Sequence, residues 1–90
     1  MKSRTTAKFR KALSNLPNSV QKQASKAYRQ FRRDPNHPSL RFKQVHSDLP
    51  IYSARISKNY RAVGQRDGDT VVWFWIGSHA EYDKLLSQMS

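Results

Sequence analysis

Apolar residues in the first part of the chain recur at helical spacing. Phe9, Leu13 and Leu16 stand at i, i+4 and i+7, which predicts a helix that Pro17 stops. Five more follow the same periodicity: Val20, Ala24, Ala27, Tyr28 and Phe31. They predict a longer helix, capped at Asn18 and ending before Asp34-Pro35. The two helices form a predicted hairpin, and residues 4–8 before them predict a short edge strand.

After Pro38 the apolar residues follow a period of two. Residues 52–56 and 60–64 alternate apolar or small with polar side chains, which predicts two strands. Residues 70–76 are apolar almost throughout, as in a strand covered on both faces, and Asp67-Gly68 predicts the hairpin turn before it. Ser78 and Glu81 match a capping box, after which Tyr82, Leu85, Leu86 and Met89 predict a C-terminal helix.

The predicted element order is β-α-α-β-β-β-α in a single domain over residues 1–90. This order defines an α+β fold in which an antiparallel sheet carries the helical hairpin, and with it the other helix, on one face.

The strand register places two arginines opposite each other. A three-residue loop, Ser57–Asn59, pairs Ile56 with Tyr60 and keeps the apolar rows together, which sets Arg55 against Arg61 on the other face. A turn at Asp67-Gly68 then pairs Arg61 with Phe74 and directs both tryptophans towards the helices. We therefore expect Arg55, Arg61 and Phe74 to share a polar face.

Composition narrows the class of protein. The formal net charge is +11, a field that suits a polyanionic partner better than a small neutral substrate. The chain has no cysteine, so disulfides, thiolate zinc sites and a cysteine nucleophile are all excluded. The longest apolar run is too short to span a bilayer, and no apolar segment of a secretory signal follows Met1, so we expect a cytoplasmic protein.

The arginine face predicts a nucleic-acid interface. Like charges opposite each other destabilise a sheet, and a phosphate between Arg55 and Arg61 would offset that cost. Phe74 beside them could stack on a base, although it could equally pack under a loop. Four more residues near the same strands are expected to bind nucleic acid: Arg41, Lys43, His46 and Lys58.

His79 is the candidate general base, because it lies on the first turn of the last helix, where the helix dipole disfavours the imidazolium. Asp83, four residues later, could orient it. Tyr82 could supply a proton or could belong to the core, and His79 could be an ordinary exposed histidine. Together Arg55, Arg61, His79 and Tyr82 could support cleavage of RNA by its own 2′-hydroxyl, a reaction that requires no metal or cofactor.

Four segments carry a resemblance to a known family: residues 36–43, 51–56, 59–63 and 72–83. With the element order, they resemble the RelE/ParE toxins of bacterial type II toxin–antitoxin modules, and residues 72–83 are the most specific match. The resemblance implies a RelE-like fold and a ribosome-dependent mRNA endonuclease that an antitoxin keeps inactive. It matches Arg61 to the phosphate-contacting arginine, Arg55 to a cation on the preceding strand, and His79 and Tyr82 to a C-terminal His and Tyr.

The same resemblance leaves alternatives open. A ParE-like inhibitor of DNA gyrase would use the same fold without nuclease chemistry, and a non-catalytic basic domain could simply bind RNA or the ribosome. The expected partners are an acidic antitoxin, in a hetero-oligomeric complex, together with the ribosome and mRNA.

Overall fold

The computed structural model describes residues 1–89. It contains a five-stranded sheet in the order β1-β5-β4-β3-β2 and three α-helices. The elements follow the chain as β1 Lys2–Thr5, α1 Ala7–Ser14, α2 Asn18–Arg33, a 3₁₀ turn Pro38–Leu40, β2 Lys43–Gln44, β3 Ile51–Ser57, β4 Tyr60–Asp67, β5 Thr70–Ser78 and α3 His79–Met89. Within this part of the chain no helix is long and apolar enough to cross a membrane.

The two predicted N-terminal helices are present, with one difference at a cap. Helix α1 begins after Thr6, whose Oγ1 accepts a hydrogen bond from the Phe9 N–H at 3.0 Å. Helix α2 begins directly after Pro17, so Asn18 is not its cap. Gln21 instead ties the α1–α2 connection together, because its Nε2 donates to the Leu16 carbonyl at 2.8 Å.

The sheet is mixed rather than antiparallel, which corrects the prediction. Strand β1 pairs parallel with β5, with Lys2 opposite Thr70 and Thr5 opposite Trp73, while the other pairs are antiparallel. Along the chain, the α1–α2 hairpin leads from β1 towards β2, and these are the two edge strands of the sheet. Strands β2, β3 and β4 also lie between β1 and β5 in sequence, which leaves ample chain for a parallel pairing.

Helices cover both faces of the sheet. The α1–α2 hairpin packs on one face, where Phe9 and Phe31 join Trp73 in the larger core cluster. Helix α3 packs on the opposite face, where Tyr82 joins Ile51 and Val63 in a second cluster. The prediction of all helices on one face is therefore wrong, and the continuous apolar run of β5 has its explanation, since both sides of this strand are covered.

The β3–β4 pairing matches the predicted register at the arginines but reaches it differently. Ala54 pairs with Ala62 and Arg55 with Arg61, as expected. The turn, however, has two residues, and Ser57 rather than Ile56 pairs with Tyr60, because a bulge interrupts the ladder between Arg55 and Ser57.

The β4–β5 pairing differs from the predicted register. Arg61 lies opposite Gly77, not Phe74, and the turn is at Gly68-Asp69, where Gly68 has φ +61°. A shift between the pairs Val63–Trp75 and Gly64–Trp73 leaves one extra residue on β5. Since an extra residue reverses the alternation of side chains, Trp73 faces the hairpin while Trp75 joins the cluster under α3.

Gly64→Ala is expected to destabilise the protein, because this bulge has no room for a Cβ. A Cβ at Gly64 would lie 2.8 Å from Val71 Cγ1, 2.9 Å from Trp73 Cε3 and 3.0 Å from the Val72 carbonyl oxygen. Overpacking of this kind costs about 1–3 kcal/mol. At roughly 4–8 °C per kcal/mol for a domain of this size, thermal melting should show a clear loss. Gln65→Ala, at the exposed neighbouring position, is the control, and equal melting of the two variants would contradict the prediction.

Candidate functional site

Arg55 and Arg61 form a cationic pair at the end of the β3–β4 hairpin. Both are half-buried, and they lie directly opposite each other. The Nη1 of Arg61 donates to the Ser57 carbonyl at 2.7 Å, the Tyr60 carbonyl at 3.0 Å and the Lys58 carbonyl at 3.3 Å. The turn therefore fixes the guanidinium, while its Nε and Nη2 groups have no partner within residues 1–89 and remain able to donate to an anion.

The surroundings of Arg61 disfavour the charged form of its guanidinium. Its pKa is lowered first by burial and then by the positive charge of Arg55, with a smaller contribution from Arg41. Tyr82 and Asp83 act in the opposite direction and raise the pKa of Arg61. Arg61 stays charged at neutral pH, so a bound anion would relieve the repulsion among the arginines.

His79 lies next to this pair because of the strand register. Ser78 pairs with Tyr60, one position beyond the Arg61–Gly77 pair, and the His79 N–H donates to the Asn59 carbonyl at 2.7 Å. The imidazole Nδ1 lies 3.1 Å from Asp83 Oδ2, and about half of the side chain is exposed (49%). A carboxylate partner places the hydrogen on Nδ1, which leaves Nε2 as an accessible proton acceptor.

The predicted capping box fixes the start of α3. Ser78 Oγ accepts a hydrogen bond from the Glu81 N–H at 3.2 Å, and Glu81 Oε1 accepts one from the Ser78 N–H at 3.0 Å. The Ser78 hydroxyl also donates to Glu81 Oε1 at 2.9 Å. These bonds set the direction in which His79 leaves the sheet.

Glu81→Gln is expected to weaken the cap in a pH-dependent way. The backbone and hydroxyl hydrogen bonds of Ser78 lower the pKa of Glu81 in the folded protein. A carboxylate with a lowered pKa stabilises the fold above its unfolded pKa, near 4.3, and this stability is lost as the pH falls through the folded value. Chemical denaturation should therefore show wild type slightly more stable than the variant at pH 7 and the two converging at acidic pH. A difference that stays constant with pH would contradict this.

Tyr82, predicted as a catalytic residue, lies in the core. Only 6% of the residue is exposed, and its hydroxyl donates to the buried Ser53 Oγ at 3.0 Å. Its ring contacts Trp75 and His79, at centroid distances of 6.5 and 5.9 Å. This burial favours the core alternative, in which Tyr82 anchors α3 to the sheet and supports the His79 ring.

The other residues predicted to bind nucleic acid fall into two groups. Lys43 pairs with Ser53 and therefore points to the same face as Arg55. The positive charge of Arg41 lowers the pKa of Arg61. Lys58 is exposed in the β3–β4 turn. These three surround the arginine pair.

Phe74 and His46 lie apart from the arginine pair. Phe74 packs against the second core cluster and lines a depression with Thr6 and Val72, three positions along β5 from Gly77. His46 binds the Met89 carbonyl through Nε2 at 2.9 Å, and its Nδ1 accepts the N–H groups of Asp48 and Leu49. Both residues therefore make structural contacts in this fold, and their binding of nucleic acid stays a prediction.

Trp75 is the aromatic residue near Arg61 that sequence reasoning missed. Its indole lies over Gly77, since a Cβ at Gly77 would come within 2.7 Å of Trp75 Cζ2 and Cη2. Gly77 is the direct partner of Arg61. The sequence pattern contains no signal for this neighbour, because the predicted register set Phe74 rather than Gly77 opposite Arg61.

One face of the sheet thus combines cations, an oriented imidazole and a half-buried indole. These groups suit a phosphodiester with an adjacent base, since cations bind the phosphate and an aromatic ring stacks on the base. Within the described residues no three His, Asp or Glu side chains come together in a way that could hold a metal ion.

Solved structures define the class of fold. The RelB–RelE antitoxin–toxin complex from Methanococcus jannaschii matches with a TM-score of 0.73 at 17% identity, over 91% of this chain and 96% of that one. A RelBE toxin–antitoxin complex from Mycobacterium tuberculosis matches with a TM-score of 0.69 at 23% identity, over 87% and 96%. The YoeB dimer from Staphylococcus aureus matches with a TM-score of 0.67 at 14% identity, over 88% and 97%. The architecture is that of RelE-type toxins.

The sequence itself identifies the family. The family model described as ParE-like toxin domain matches residues 18–84, which is most of the chain. This protein therefore belongs to the ParE-like toxin family, within the RelE/ParE superfamily, as the sequence resemblance indicated. Among proteins with curated descriptions, none matches this sequence.

Proposed function

We propose that this protein is a ribosome-dependent mRNA endonuclease that inhibits translation as the toxin of a type II toxin–antitoxin module. The observation that carries the proposal is the position of the Arg55–Arg61 pair beside His79, whose Nδ1 is held by Asp83 at 3.1 Å. A toxin that acted only by binding another protein would have no need for an oriented imidazole next to a phosphate-binding pair.

In the proposed reaction the mRNA 2′-oxygen attacks the adjacent phosphorus and displaces the 5′-oxygen, which leaves a 2′,3′-cyclic phosphate. His79 Nε2 accepts the proton from the 2′-hydroxyl. Arg61 and Arg55 stabilise the negative charge that develops on the phosphorane. Trp75 stacks on a neighbouring base, and the leaving 5′-oxygen takes a proton from solvent or from the imidazolium.

The ribosome would supply the substrate geometry. Arg61 and its neighbours lie partly exposed at the end of the β3–β4 hairpin, where phosphate contacts would position RNA without reading its sequence. The free protein should therefore bind single-stranded RNA weakly, lose affinity as salt rises, and cleave naked RNA poorly.

An acidic antitoxin is the proposed protein partner. Two of the structural relatives are antitoxin–toxin complexes, and a net charge of +11 favours a polyanionic partner. An apolar groove of about 440 Å³ lies between α1, α2 and the sheet, with Trp73 and Ala62 among its lining residues and Arg10 and Arg29 at its rim. This combination suits an amphipathic segment that carries carboxylates, and its binding should weaken as salt screens the charges.

Inhibition of DNA gyrase is the second candidate, because the matching family model is ParE-like. Such an inhibitor would need the fold and a docking surface, but not the His79–Asp83 pair. The same protein preparation can therefore test both candidates.

The deciding experiment is primer extension on mRNA in a translation extract, combined with a gyrase supercoiling assay. Breaks that appear only with ribosomes, and only on addition of the protein, support the nuclease. A block of supercoiling without mRNA breaks supports the gyrase inhibitor. Ribosome association with neither effect would show a non-catalytic binding domain.

A further inference from the structure

The positive charge of this protein is concentrated away from the candidate site. Residues 1–33 contain ten Lys and Arg and no Asp or Glu, so they carry all but one unit of the net charge. This segment forms β1 and the α1–α2 hairpin, and the hairpin packs on the face of the sheet opposite to α3. The hairpin and the candidate site meet where Lys26 lines a depression together with Arg55 and Lys58.

Four of these cations form a stripe along α2: Lys22, Lys26, Arg29 and Arg33. At 100° per residue they fall within one narrow sector, directly opposite the buried Val20, Ala24 and Phe31. All four are exposed, and at a rise of 1.5 Å per residue the stripe is about 16 Å long. We call it the α2 stripe.

The positive charges of the α2 stripe are not neutralised by acidic residues of the same helix. The residues of the stripe stand three and four apart, a spacing at which like charges destabilise a helix. Helix α2 contains no acidic residue, and the ion pair found among residues 1–89 joins His79 and Asp83 instead. A shallow depression beside the stripe adds the polar side chains of Asn18 and Ser25 to those of Lys22 and Arg29.

We infer that the α2 stripe is a second nucleic-acid surface, and that it binds the backbone of double-helical RNA. A rigid row of cations contacts phosphates, whereas single-strand binding relies on aromatic rings that stack on bases, and none is exposed on this side of α2. The choice of RNA over DNA rests on the proposed function, in which structured ribosomal RNA surrounds the toxin. The backbone contact itself follows from the charges alone.

The test compares two variants of equal charge. K22Q/K26Q/R29Q/R33Q removes the stripe, and K2Q/R4Q/K8Q/K11Q removes four exposed cations from β1 and α1. Binding to a fluorescent RNA duplex of about 16 base pairs is measured from 50 to 200 mM salt. Loss of four phosphate contacts should reduce the slope of log K against log salt by about 3 to 4. The wild-type affinity should then fall about 10²-fold more over this range than that of the stripe variant.

The control variant should keep a slope close to that of the wild type. Both variants should stay folded, and the stripe variant should melt at or above the wild-type temperature, because it removes like charges three and four residues apart. Equal loss in the two variants would overturn the inference, since net charge alone would explain binding. Equal or tighter binding to a DNA duplex would overturn the assignment to RNA, and tight binding to a polyglutamate peptide with none to RNA would assign the stripe to an acidic protein. Arg61→Ala should keep duplex binding, so failure of the proposed cleavage can be distinguished from failure of this inference.

Discussion

Arg61→Ala is expected to reduce cleavage of mRNA on programmed ribosomes by about 10²–10³, the usual effect of losing one preorganised group that stabilises developing charge. Arg61 is the better choice of the two arginines because its guanidinium is fixed to three carbonyls of the β3–β4 turn, so it is already oriented before an anion binds. The measurement is the single-turnover rate by primer extension, with thermal melting of the same samples.

The fold should survive this change with a small loss of stability. The variant loses hydrogen bonds worth about 1 kcal/mol net, which relief of the repulsion from Arg55 offsets in part. Arg66→Ala is a matched control, because Arg66 lies on the same strand and its Nε also donates to a turn carbonyl, that of Gly68, at 3.0 Å. Arg66 is at the other end of β4, so its loss should leave cleavage near the wild-type rate. Wild-type cleavage by Arg61→Ala would show that the proposed site is wrong.

The helices could be predicted from sequence because their signals are local. Phe9 to Leu16 and Val20 to Phe31 repeat at helical spacing, and Pro17 and Asp34-Pro35 mark their ends, so α2 was expected almost at its observed bounds. The capping box spans only the four residues from Ser78 to Glu81, so it is also a local signal, and it predicts the start of α3. The face on which α3 packs depends on long-range contacts, such as that between Tyr82 and Ser53, which no local pattern contains.

The arginine pair was predicted correctly although the loop was not. The observed turn is one residue shorter than expected, and the bulge near Ile56 restores the same pairing of Arg55 with Arg61. No such compensation occurs between β4 and β5. There the extra residue on β5 exchanges the expected neighbours, so that Trp75, rather than Phe74, lies beside the site. Bulges follow from packing on both faces, and the alternation of residue types does not reveal them.

The uneven distribution of positive charge separates binding of nucleic acid from cleavage. Nearly all of the net charge is on β1 and the helical hairpin, while the candidate site carries a small cationic group with Asp83 and Glu81 close by. A hairpin of this charge attracts nucleic acid at long range, and a site with fewer charges allows the substrate strand to adjust and leave. Binding and cleavage should therefore respond to different substitutions.

His79→Ala is expected to slow cleavage by about 10² or more, because a positioned general base contributes roughly 10²–10⁴. Asp83→Asn should have a smaller effect, since it keeps a hydrogen-bond acceptor for Nδ1 but removes the charge that holds the tautomer. The pH–rate profile on ribosomes separates chemistry from packing. In the wild type the cleavage rate should rise with pH as the general base loses its proton. This rise should be smaller in Asp83→Asn and absent in His79→Ala.

His37→Ala is the control for this experiment. His37 is a histidine of the Pro35–Pro38 turn whose Nδ1 lies 2.7 Å from Ser39 Oγ, so it is ordered but has no contact with the arginine pair. Its replacement should leave both the rate and the pH profile unchanged. If His79→Ala kept the rise of the rate with pH and lost rate only in proportion to its melting temperature, His79 would be a structural residue at the start of α3. The proton acceptor would then have to be sought among the groups around Arg61, or outside this protein.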